Sequence, residues 1–150
     1  MTAPTIERPD PDPAYPMLAP ALDTVRLTLH VLAATVWVGG QIVMTGLIGP
    51  ARQIGGDAPK ILARAFARMA WPAFLVLIAT GIWNVTAVHY SSQSSAWKAV
   101  LMAKIVVVIV AGVATGLHQR ATTKGQLALW GSVAGTTSVA ALVMGILLAG

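Results

Sequence analysis

A histidine, a tryptophan, a glycine pair and a glutamine fall within residues 29–41, LHVLAATVWVGGQ, where no formal charge occurs between Leu27 and Pro50. An imidazole is a metal ligand, a haem ligand or a proton carrier, and at membrane depth such a side chain marks a functional site by default. His30 is therefore the first candidate. Lys104 is the second, because it interrupts the apolar run 96–117. Six methionines offer thioether donors, and thioether with imidazole suits Cu(I), while Met and His also serve as haem axial ligands.

The elements that would position these residues are set by composition. The chain has 150 residues, of which 56% are apolar and only 10% charged, against roughly 25% charged in soluble domains. Four apolar runs, at about 23–48, 69–88, 96–117 and 127–148, approach or exceed the roughly 20 residues needed to cross a bilayer. Short connections predict an all-α, up-down-up-down bundle of four transmembrane helices, residues 22–150. Residues 1–21 are proline-rich and polar, and they read as a disordered or extended tail without the basic start of a signal peptide. Asp23 is expected to cap the first span, and Pro50 to help end it.

Several chemistries drop out. There is no cysteine, so disulfides, thiolate metal sites and thiol nucleophiles are excluded. The net charge of +5 sits mostly in two connections and is not interleaved with aromatics, so nucleic acid is not an expected partner. Arg52, Lys60, Arg64, Arg68, Arg120 and Lys124 lie on one side, against Arg8, Arg26 and Lys98 on the other. The positive-inside rule puts the first set in the cytoplasm and both termini outside, in a multi-pass plasma (inner) membrane protein. Lys60, Arg64 and Arg68 share a face that would meet lipid head groups or an anionic ligand.

Depth then groups the candidates. At 1.5 Å per residue His30 lies about 10 Å inside the outer boundary, and Lys104 lies at a similar depth. Met102, Asn84, Met144 and His89 also belong to the outer half. His118 is about 20 Å from Lys104 along its helix. His30, Trp37, Gln41 and Met44 form one stripe, and Lys104, Thr115 and His118 another, which predicts a polar seam between spans 1 and 3. Each residue also has a plainer reading. His30 could simply bond a neighbouring helix, Lys104 could snorkel outward, His89 and His118 could be interfacial, and the methionines could be packing. Gly131 and Gly135 allow close helix approach, within the bundle or between copies.

His30, six residues, Trp37, then Gly39-Gly40 resembles the first-span motif of the copper-resistance D (CopD-like) membrane proteins. The segments ARAFARMAWPAFLVLIATGIWNV, residues 63–85, and WKAVLMAKIVVVIVAGVATGLHQR, residues 97–120, are similar to that family's second and third helices, with Lys104 at the family's lysine. The resemblance implies copper binding or passage, and the residues grouped by depth, His30, Met102, Met144 and His89, are the candidate ligands. The same pattern is similar to the membrane protoporphyrinogen oxidases that carry haem b. That implies His30 as axial ligand and Lys104 near a propionate or substrate carboxylate; Trp37 and Asn84, on the stripe and in the outer half, are further cofactor-binding candidates. Copper and haem b both stand as expected cofactors. A third expectation is a non-catalytic subunit in a homo-oligomer or larger membrane complex.

Overall fold

The computed structural model describes residues 21–149. The expected N-terminal tail lies outside the described residues. Four helices follow in order: α1 (Ala21–Ile54), α2 (Ala58–Thr86), α3 (Ser95–Arg120) and α4 (Lys124–Ala149). No strand occurs among the described residues. All four helices are long and apolar enough to cross a membrane, which fits a multi-pass membrane protein. Their outward faces agree. Ile42, Leu75, Ile82, Val106 and Ile146 are each more than half exposed, a surface that suits hydrocarbon and not water.

The helices alternate in direction. Ala21, Thr86, Ser95 and Ala149 mark one end of the bundle, called here the termini end. The loop end holds the turns at Gly55-Gly56 and at residues 121–123. Ser94 caps α3, its side chain accepting the Trp97 amide at 3.1 Å. A single 3₁₀ turn, Tyr90–Ser92, lies between α2 and α3.

Three expected boundaries move. Pro50 does not end α1, which continues to Ile54 and stops where Gly55 takes φ +83°. The residue four positions before Pro50 is Gly46, with no side chain, and the ring is absorbed in the last turns. Asp23 is not the cap of α1, because Ala21 and Leu22 before it are already helical. Its carboxylate instead pairs with Arg26, Oδ1 to Nη2 at 3.0 Å. Helix α2 starts at Ala58, eleven residues before the expected span, so Lys60, Arg64 and Arg68 ride on its first turns.

Packing divides the bundle into two antiparallel hairpins. Helix α1 lies against α2, and α3 lies against α4. Buried alanines, among them Ala33, Ala70, Ala111, Ala114 and Ala134, let the backbones approach closely. The hairpins meet through longer side chains. A five-residue π turn, Thr35–Gly39, interrupts α1 and buries Trp37 and Val38. The Trp37 ring stacks at 4.4 Å on Phe74, and Trp71 meets both edge-on. Trp37 Nε1 and Gln41 Nε2 both donate to Ser138 Oγ on α4, at 3.0 and 3.1 Å. The bulged turn is thus where the first hairpin holds the second.

The expected polar seam between spans 1 and 3 does not form. The stripe on α1 is satisfied by α2 and α4, and Thr115 and His118 of α3 bond elsewhere. Thr115 donates to its own helix, to Ala111 O at 2.8 Å, and His118 Nδ1 meets Leu127 O of α4 at 2.9 Å. Alternating direction sets α1 against its antiparallel neighbours, so α3 is not its closest partner.

Candidate functional site

His30 is half-buried on α1, one turn past Arg26. Its Nδ1 lies 2.7 Å from Thr80 Oγ1 on α2. Thr80 itself is buried, and its hydroxyl sits 2.6 Å from Val76 O and 3.3 Å from Leu77 O. A hydroxyl has one proton, and back-bonding to the preceding turn uses it. Toward His30 the oxygen therefore accepts. The hydrogen-bond network assigns the neutral ring its proton on Nδ1 and leaves the Nε2 lone pair free. Orientation of a ligating histidine through its other nitrogen is the usual outer-shell arrangement at metal centres. Gly81 lies beside the ring, where a Cβ would stand 3.8 Å from Cε1.

Lys104 approaches the same level from the second hairpin. Trp37 bonds Ser138, and seven residues toward the termini end from each bring His30 and Gly145 level, about 10 Å higher. The Lys104 Nζ lies 3.0 Å from where a Gly145 Cβ would be. Glycine at 145 makes room for the amine. His30 and Lys104 thus stand at one level of the bundle.

The remaining candidates separate. Trp37 is buried, and it is bound to Ser138 and stacked on Phe74, a packing and hydrogen-bonding role. Asn84 lies one turn from Thr80 on the same face of α2, and its Oδ1 is buried with no hydrogen-bond partner. Met144 is half-buried next to Gly145. Met102 is 52% exposed and faces away from the bundle. His89 is exposed beside the 3₁₀ turn, and its carbonyl accepts from Ser92. His118 sits at the loop end, over Gly131, far from His30. Among the described residues no three His, Asp or Glu side chains gather into a metal-binding group.

One residue of this region escaped the sequence reading. In the sequence Arg26 reads only as a charge on the terminus side, yet it is 8% exposed. Its Nη2 pairs with Asp23, while Nε and Nη1 have no hydrogen-bond partner. The available signal was spacing. Arg26 precedes His30 by four residues, as Asn84 follows Thr80 by four, so two polar pairs stack one turn apart on facing helices. No family model, no curated protein and no solved structure matches this chain.

Proposed function

We propose that this chain handles copper in the membrane in the manner of the copper-resistance D type, with His30 as the principal ligand in the outer half of the bundle. The observation that supports this most is the His30–Thr80 hydrogen bond, which leaves Nε2 as a free imidazole donor at membrane depth. Copper is here the cargo. An imidazole with the half-buried Met144 thioether at a similar level is a sparse, soft donor set. Sparse coordination suits passage better than storage, because the ion must leave again.

Haem b with His30 as axial ligand is the second reading. The observation that favours it is the Lys104 amine at Gly145, level with His30, where it would meet a propionate. Haem bound there would supply one-electron chemistry. The chain's own part would be to orient the imidazole through Thr80 and to balance carboxylate charge through Lys104.

Purified protein tests both. Cu(I) titration against a chromophoric chelator should show binding that weakens at least tenfold in His30→Ala, with no Soret band in the wild-type spectrum. A Soret band that His30→Ala abolishes would replace copper with haem. Equal metal affinity in wild type and variant, with no haem, would leave the subunit role.

A further inference from the structure

The polar groups above His30, toward the termini end, are not explained by a metal ligand. Arg26 is nine-tenths buried, yet two of its three nitrogens, Nε and Nη1, have no hydrogen-bond partner. Its counter-charge, Asp23, engages only Nη2 and is itself 41% exposed. On α2, Asn84 Oδ1 is a buried acceptor with no donor.

These groups are brought to one level by the helix register. His30 and Thr80 touch across the antiparallel α1–α2 pair. One turn toward the termini end on each helix leads to Arg26 and Asn84. Lys104 arrives from α3 at the same height. Phe74 and Gly112 are in contact across α2 and α3, where a Gly112 Cβ would lie 2.7 Å from Phe74 Cζ. Asn84 and Lys104 lie about 15 and about 12 Å further along their helices from that contact. Lys104 makes no side-chain hydrogen bond among the described residues. That level of the bundle therefore holds two cations, a guanidinium and an ammonium, against one half-exposed carboxylate. An excess buried cation with idle donors asks for an anion, and an idle amide oxygen beside it asks for a hydroxyl.

We propose that the termini end of the bundle is a receptor for a monoanionic oxyanion that also carries a hydroxyl, held by Arg26 and Lys104 with Asn84 Oδ1 accepting from the hydroxyl. This site does not rest on copper or haem at His30. A free dihydrogenphosphate or hydroxycarboxylate has this chemistry, and so does the head group of phosphatidylglycerol.

The test uses the full chain in nanodiscs, followed by thermal unfolding. In phosphatidylcholine discs, inorganic phosphate or lactate should raise the unfolding midpoint, and chloride at equal ionic strength should not. Phosphatidylglycerol discs raising the midpoint without either additive would identify a lipid source for the same site. The anion response should disappear in Arg26→Gln, weaken at least fivefold in apparent affinity in Asn84→Leu, and persist in Lys60→Gln and His30→Ala. An undiminished response in Arg26→Gln overturns the proposal, and so does the lack of any response in all three anion arms. Should Arg26→Gln not fold, Asn84→Leu decides, and an unchanged affinity there overturns it equally. Loss of metal in His30→Ala with the anion response intact keeps this site separate from the copper reading.

Discussion

Two bonds of one hydroxyl decide the chemistry of the central imidazole. Thr80 gives its proton to its own helix and so accepts from His30 Nδ1. Thr80→Val keeps the shape and removes the acceptor. The Nδ1 proton is then left unpaired in the bundle, which costs about 1–3 kcal/mol. The variant should unfold earlier in a denaturant titration of the solubilised protein, and Thr80→Ser should recover most of the loss. His30 stood out in the sequence because an imidazole in an apolar run has few explanations. Thr80 and Asn84 could be placed on one face by their spacing. Arg26 could not be placed, because a basic residue near a span end usually snorkels. Only the folded chain shows that protein, and not water, covers it.

Helix existence was plain from hydropathy, and helix ends were not. The expected stop at Pro50 gave way to a glycine turn five residues later, since proline only removes a donor and crowds the preceding turn. The π turn was hidden for a different reason. Reading a stripe at 100° per residue assumes an unbroken α-helix, and Thr35–Gly39 breaks that phase. Close packing at the element scale is testable at Gly112. A Cβ there would meet Phe74 Cζ at 2.7 Å and Cε1 at 2.9 Å. Phe74 is held by Trp37 and Trp71 and has little freedom to yield. Gly112→Ala should destabilise by about 1–3 kcal/mol. Gly135→Ala, where nothing lies within 4 Å, should stay within about 0.5 kcal/mol, measured by the same unfolding titration.

At the scale of the molecule, the charge count carries a prediction of its own. The loop end has Arg52, Lys60, Arg64 and Arg68 near one turn and Arg120 and Lys124 near the other. If the positive-inside rule holds for this chain, cysteines introduced at Gly55 and Thr123 are protected from an impermeant thiol reagent added to intact cells. The natural chain has no cysteine to confuse the readout. Labelling of both positions from outside would reverse the orientation. The four-helix architecture itself was legible because composition alone forbids a water-facing surface. The grouping into two hairpins was not legible, since it depends on which small-residue faces meet.

That grouping has a kinetic consequence. Within each hairpin the partners are neighbours in sequence, so each closes through local contacts, the fast regime for chain assembly. The two halves meet last, when Trp37 and Gln41 find Ser138 about a hundred residues away. Before that docking, His30 and Thr80 can already be paired, but Lys104 belongs to the other half. Arg26 and Lys104, one from each half, therefore reach the same level of the bundle only in the final assembly step.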